Sequence, residues 1–383
     1  MSDLSCAHTQ AHLKWCLDIL FGSGSSERTP AKCPYDLLAF CQRQQIGPLL
    51  FQRSELFIES LGLPWGLEGG IEAASLEQWQ RSNRIRFELN RVRSSLAAAG
   101  IEWVLLKGLA LAHRFFGSPD ARACSDLDVL VHRADLGRAT DSLTAAGYKL
   151  CSPRLDGGGP WRRMQRRALH HVELAGGSCE VELHHCLRSH PALHIPESQL
   201  WSGVENSDAV RGGCRVLSDE NVLLTMLLAL HADVELGVAN LKSLVDVDAV
   251  LTAVDASTDW QAFFARRRAE RTLAIAVNGI ALTTRLLRGQ NRYPAVDDAV
   301  RQAALARLVR PPVAGSPIGE FVALFDSTEL APSAARRRLV RNKLWAHRQY
   351  HGGLLSALWS WASSLPIRLH GSSRPFQNFQ ERR

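Results

Sequence analysis

Most of the short signatures that announce a chemistry are missing from this 383-residue chain. Its nine cysteines (Cys6, Cys16, Cys33, Cys41, Cys124, Cys151, Cys179, Cys186 and Cys214) form no C-x-x-C pair and no zinc-knuckle spacing. A dithiol centre and a cysteine-held zinc are therefore not expected. Scattered thiols in odd number read as reduced cysteine. The opening MSDLSCAHTQAHLKW has no basic segment followed by an apolar one, so the expected compartment is the cytoplasm. No G-x-x-x-x-G-K-[ST] loop occurs, no G-x-G-x-x-G opens a helix after a strand, and there is no H-E-x-x-H. The longest charge-free run, Gly352 to Ile367, is interrupted by Ser356, Ser360, Ser363, Ser364 and Pro366. It is short for a span of about 20 residues, and no transmembrane helix is expected. No repeat recurs at a fixed period.

What is present is the material of a folded protein: 46% hydrophobic and 22% charged residues, which excludes disordered and fibrous classes. Single cores stop growing at roughly 250 to 300 residues, so two or three packed units are expected. The net charge of +7 is too small to argue for nucleic-acid binding, but its distribution is uneven. Between Arg336 and Arg383 ten Lys or Arg face one acid, Glu381, leaving the remainder slightly acidic. That block also carries Trp345, Trp359 and Trp361. It reads first as a packed helix with a solvated basic face, ahead of a surface for anionic lipid or RNA.

Apolar residues recur at three- and four-residue intervals in PYDLLAFCQRQQIGPLLFQRSELF and LEQWQRSNRIRFELNRVRSSLAAAG, predicting an N-terminal helical region over 1–99 that stops at Gly100. From Ile101 the pattern switches. IEWVLLKG, ALAHRFF, SDLDVLVH, a helix from Ala134 to Ala146 and YKLCS read as β-α-β-α-β, an α/β domain placed at 100–215. SPRLDGGGPWRRMQRR reads as a loop, and LHHVEL and CEVELHH as a hairpin closed by AGGS. In that hairpin Leu174 is expected opposite Cys179, which sets Glu173 against Glu180 and His171 against Glu182. A helical domain over 216–310 follows, starting at SDEN, then C-terminal helices and a basic tail over 311–383.

The strongest chemical feature is Ser125-Asp126-Leu127-Asp128-Val129-Leu130-Val131. Alternation along a strand puts Asp126 and Asp128 on one face, with Leu127 and Val129 in the core. Such pairs are common on polar strand faces, but two carboxylates side by side also suit a hard divalent cation with phosphate oxygens. Two neighbours strengthen the second reading. Lys107-Gly108 ends a strand and opens a helix, where glycine admits close approach and amides face a phosphate. Glu180, Glu182 and His184 share one face of a later strand and bring a further carboxylate. Like charges facing each other across the hairpin need a cation between them. His171, Glu182 and His184 form an alternative transition-metal set.

The stretch GIEWVLLKGLALAHRFFGSPDARACSDLDVLVHRADLGRATDSLTAAGY resembles nucleotidyltransferases of the polymerase-beta-like superfamily. More narrowly, L-L-K-G-x-A-L-A, S-D-L-D-V-L-V, E-L-H and L-K-S-L-V-D resemble the group described as uncharacterised nucleotidyltransferases, from about Tyr35 to about Leu251. The resemblance implies a mixed-sheet catalytic domain and NMP transfer from an NTP, ATP by default, with release of pyrophosphate. It implies two Mg²⁺ ions, replaceable by Mn²⁺, on Asp126 and Asp128. Glu182 is the third acid, with Glu180 as its rival. Gly108 matches the phosphate-contacting glycine, and Lys107 precedes it as in the narrower group. The chain departs at Leu109, where the superfamily often has Ser or Gly. Lys242, Asp246 and His231 recur in the group on helices after the sheet. Lys242 and Asp246, one turn apart, read first as a surface ion pair, and Arg122 as an exposed loop residue. The resemblance places Lys242 near the triphosphate and Asp246 near the base or acceptor, and Ser125 and Arg122 are further candidates for phosphate contacts. The glycine and arginine loop from Asp156 to Arg167 reads as a solvated loop, with closure over phosphate as the alternative. The acceptor is open among small molecule, peptide, protein and RNA. Two other classes remain beside the transferase: a non-catalytic nucleotide- or partner-binding relic, and a His/Glu metal-dependent hydrolase.

Overall fold

The computed structural model describes residues 2–21, 34–55, 65–118, 120–151, 169–188, 193–208, 212–236, 241–287 and 293–309. The Asp156–Arg167 loop and the basic C-terminal block lie outside them.

Three helices, α1 (Ser2–Phe21), α2 (Pro34–Arg43) and α3 (Gly47–Glu55), precede the long α4 (Trp65–Ala98). Gly100, at φ +62°, ends α4 in the left-handed conformation that glycine tolerates best, while the Gly100 and Ile101 amides donate to the Ala97 and Leu96 carbonyls. Next come β1 (Trp103–Leu105), α5 (Leu109–Phe116), β2 (Asp126–Val131), α6 (Leu136–Ala145), β3 (Lys149–Leu150), β4 (His171–Ala175) and β5 (Glu180–His184). The helix α7 (Glu197–Ser202) and the strands β6 (Val204–Ser207) and β7 (Cys214–Leu217) complete a seven-stranded sheet in the order β3-β4-β5-β2-β1-β7-β6. The sheet is mixed: β2 runs parallel to β5 and β1 parallel to β7, and the other neighbours are antiparallel. Helices α8 (Asp219–Leu236), α9 (Leu241–Val254), α10 (Trp260–Ala269), α11 (Leu273–Leu286) and α12 (Pro294–Gln302) follow. The α/β class is as read from the sequence. The β6/β7 pair is an addition, since VENS and CRVL are too short for a clear alternation signal.

Both sheet faces are covered. Leu127, Val129, Val131, Val181 and Leu183 point into one core with Ile85, Leu89 and Val92 of α4 and Leu143 of α6. Val104, Leu130 and Leu217 point into the other, with residues of α1–α3 and α8–α12. Within it the free thiols of Cys16 and Cys41 lie 3.7 Å apart. No helix among the described residues is long and apolar enough to cross a membrane.

The hairpin register differs from the expected one by two residues. His171 faces His184, Glu173 faces Glu182 and Leu174 faces Val181, so Cys179 belongs to the turn. The buried Glu88 carboxylate of α4 accepts from the Ser178 amide at 2.8 Å and from the Tyr148 hydroxyl. It lies where a Cβ on Gly177 would stand, 2.2 Å away. A wide turn built around a carboxylate from another helix has no signature within AGGS.

Candidate active site

Asp126 and Asp128 are the first and third residues of β2 and share a face with Leu130. Parallel pairing sets Asp126 beside Glu180, Asp128 beside Glu182 and Leu130 beside His184, while β4 adds Glu173 opposite Glu182 and His171 opposite His184. Three adjacent strands thus carry carboxylates and imidazoles on one continuous face.

Asp128 is buried, at 4% exposure, and two donors meet it: Lys107 Nζ donates to Oδ1 at 3.0 Å and His184 Nε2 donates to the same oxygen at 2.9 Å. His184 Nε2 also lies 3.2 Å from Glu182 Oε2. Burial opposes ionisation of Asp128, but Lys107 and His184 overcome it and hold the carboxyl well below its ordinary range. Burial would likewise strip Lys107 of its proton, and the fields of Asp128, Glu182 and Asp126 reverse this and raise it. For Asp126 the balance goes the other way. Burial, reinforced by Asp128 and Glu182, pushes it up to about 6 against the weaker pull of Lys242 and Lys107. The face therefore carries more negative charge than its own cations neutralise. An all-oxygen set in that condition fits a hard divalent ion such as Mg²⁺. The ligand atoms of Asp128, Glu182 and His184 all lie within 4.8 Å of one another, close enough to share an ion.

The turn before α5 explains its glycine. Gly108 has φ +59°, and a Cβ there would stand 2.8 Å from Cys124 Sγ, so both backbone conformation and space exclude a larger residue. Leu109, where the resembling superfamily often has Ser or Gly, is buried in the core. The segment leading into β2 is held from α4, where Gln78 Nε2 donates to the Cys124 carbonyl at 3.3 Å.

Two readings of the flanking charges require correction. Asp246 is buried on α9 and is clamped by Arg122, whose Nε and Nη2 each donate at 2.7 Å to one carboxylate oxygen. Arg122 is accordingly buried, not an exposed loop residue, and Lys242 is not the partner of Asp246. A bidentate guanidinium outcompetes an ammonium for a buried carboxylate. Lys242 donates to Gln45 Oε1 at 3.1 Å, and its charge is felt at Asp126. Ser125 is exposed beside Asp126, and His231 is buried on α8. The sequence reading missed His170, whose ring sits 4.5 Å from that of His171 and 5.5 Å from that of His184. The doublet His170-His171 was the available signal, but alternation assigns only His171 to the site face, and His170 arrives there by preceding the strand.

A model of a family described as uncharacterised nucleotidyltransferase matches residues 33–288, a span that includes all of these residues. No curated protein and no solved structure matches the chain.

Proposed function

Because this chain belongs to the uncharacterised nucleotidyltransferase family, we propose that it transfers the nucleoside monophosphate of an NTP, ATP by default, to an acceptor with release of pyrophosphate. The observation that carries the reading is the alignment of Asp126 and Asp128 on β2 with Glu182 on β5, beside the Lys107-Gly108 turn. Asp126, Asp128 and Glu182 would hold the divalent ions, two Mg²⁺ or Mn²⁺. When bound these would neutralise phosphate charge and lower the pKa of the attacking group.

The protein's own residues do the rest by position. Gly108 lets phosphate oxygens approach the backbone at the start of α5, where amides and helix dipole favour an anion. Lys107, already charged against Asp128, turns to the triphosphate when it arrives, and Lys242 adds positive potential from α9. Ser125 stands exposed at the mouth, and Arg122 with Asp246 fixes α9 against the segment that leads into β2. The acceptor hydroxyl attacks the α-phosphorus in line. Its oxygen forms the new P–O bond, the bond to the bridging oxygen of pyrophosphate breaks, and the hydroxyl proton passes to a carboxylate oxygen of Glu182. Catalysis of this kind is orientation and charge neutralisation, with no covalent intermediate on the chain. The acceptor is a small molecule, a peptide, a protein or an RNA.

The test is transfer of α-labelled ATP, GTP, CTP and UTP to candidate acceptors or cell lysate, with and without Mg²⁺, beside the Asp126→Ala, Asp128→Ala double variant. Metal-dependent label transfer that vanishes in the variant is expected. Transfer that survives in the variant overturns the residue assignment. Binding without turnover would favour the non-catalytic alternative.

A further inference from the structure

Next to the carboxylates lie three histidines. His170 immediately precedes β4, and its carbonyl accepts from the His185 amide at 3.0 Å, which ties it to the end of β5. His171 and His184 face each other across the hairpin, with ring centroids 5.1 Å apart. Each of the three presents a ring nitrogen within 4.8 Å of the other two.

The hydrogen bonding of two of these rings is asymmetric in the same way. His184 Nε2 is engaged by Asp128 and Glu182, and because carboxylates only accept, that nitrogen carries the proton. Its Nδ1 is then a lone pair, buried and without a hydrogen-bond partner among the described residues, on a side chain that is 1% exposed. His171 repeats the pattern, with Nε2 at 3.4 Å from Glu173 Oε1 and a buried Nδ1 that makes no hydrogen bond among the described residues. Glu182 Oε2 lies 3.8 Å from that Nδ1. A buried polar atom left unpaired costs about 1–3 kcal/mol, and two on facing residues point to a missing partner. An imidazole with one nitrogen on a carboxylate and the other open is how metal-bound histidines are held.

We propose that His170, His171 and His184 form a nitrogen-rich site for a borderline divalent cation of the Zn²⁺ class, distinct from the hard-oxygen site of Asp126, Asp128 and Glu182. Three imidazoles select Zn²⁺ and its neighbours over Mg²⁺ and leave a fourth position for a water or a substrate atom. Asp128 and Glu182 serve both sites, as oxygen donors in one and as the carboxylates that orient His184 in the other. An ion on the histidines therefore alters the electrostatics of the nucleotide site. The histidine site itself does not depend on the nucleotidyl-transfer reading.

The test uses the full chain, stripped of metal, titrated with Zn²⁺ against a chromophoric chelator in excess Mg²⁺ and without nucleotide. One Zn²⁺ per chain is expected to persist against Mg²⁺. His170→Ala and His171→Ala should each weaken it by about 100-fold or more, since a direct ligand is worth at least as much as an outer-shell partner, and Asp126→Asn should leave it within a few-fold. Zn²⁺ that is indifferent to His170→Ala but lost in Asp126→Asn would place the ion on the carboxylates and overturn the proposal. So would the absence of Zn²⁺ binding that resists Mg²⁺. X-ray absorption of the Zn²⁺-loaded wild-type chain covers the case in which a histidine variant fails to fold: three imidazole donors are expected, and an oxygen-dominated shell overturns the site.

Discussion

Asp126 and Asp128 are the same residue type two positions apart on one strand face, yet the fold treats them differently. Asp128 receives Lys107 and His184, whereas Asp126 has no such neighbour at hydrogen-bond distance among the described residues and feels mainly burial and two like charges. Replacing them should therefore separate stability from function. In chelator, Asp128→Asn is expected to destabilise the chain by about 1–2 kcal/mol, because it leaves Lys107 and His184 facing a neutral group; Lys107 is partly exposed, so the loss stays below the ~3–5 kcal/mol of a fully buried pair. Asp126→Asn should be neutral or stabilising, and both should lose transfer. Urea unfolding beside the transfer assay reads the contrast, and equal destabilisation by the two would contradict it. Asp233 on α8 supplies a pH prediction. Burial pushes its carboxyl up to about 6 despite the hydrogen bond from Ser243 and the field of Lys242. A carboxyl raised above its unfolded value of about 3.9 weakens the fold as pH climbs through that interval. Asp233→Asn should accordingly be more stable than wild type by about 1–2 kcal/mol above pH 6, with the difference closing near pH 4, as followed by unfolding midpoints across that range.

At the scale of elements, the site depends on how turns are held. The Lys107-Gly108 turn is fixed by a positive φ and by Cys124 Sγ beneath it, and β4 and β5 are joined by a turn wrapped around the Glu88 carboxylate of α4. Gly108→Ala is expected to cost about 2 kcal/mol, the sum of left-handed strain and a methyl pressed on sulfur. In a Cys124→Ala background the steric part should return and the backbone part should not, so thermal stability recovers only in part. Full recovery would show that φ at this position is unimportant. The hairpin illustrates why register is harder to read than strand existence. LHHVEL and CEVELHH announce two strands, but a two-residue shift preserves every face and changes only which residues oppose each other. The observed pairing is the one in which the carboxylate from another helix fills the space above Gly177.

For the whole molecule, the same apolar core runs from α1–α3 past one sheet face into α8–α12. The start of α9 is tied to the turn between α2 and α3, where the Leu241 amide donates to Gln44 Oε1 at 2.7 Å and the Lys242 amide to the Gln44 carbonyl at 3.3 Å. The N-terminal helices thus help to place Lys242, 197 residues away from Gln45 in sequence. A chain beginning at Trp65 would uncover the partners of Leu13, Leu17, Leu37, Phe40, Ile46 and Leu50, a loss on the order of 10 kcal/mol at ~1.5–3 kcal/mol for each buried side chain. Such a truncation is expected to bind hydrophobic dyes and to lack a cooperative thermal transition. A cooperative melt would show that the sheet and the later helices are self-sufficient.

The amino-acid sequence by itself determined the α/β class, the strands that bear Asp126, Asp128 and Glu182, the shared face of each acidic pair and the glycine at the mouth of α5. These follow from short-range periodicity and from the conformational demands of single residues, which are legible along the chain. Only the tertiary structure decided that β5 lies beside β2 in parallel, that Arg122 and not Lys242 takes Asp246, that Glu88 sets the hairpin turn and that His170 joins His171 and His184. Those choices are made by partners 56 to 124 residues apart competing for the same buried charges, or by a residue carried to the site from outside the strand pattern. No local spacing encodes the outcome of such a competition.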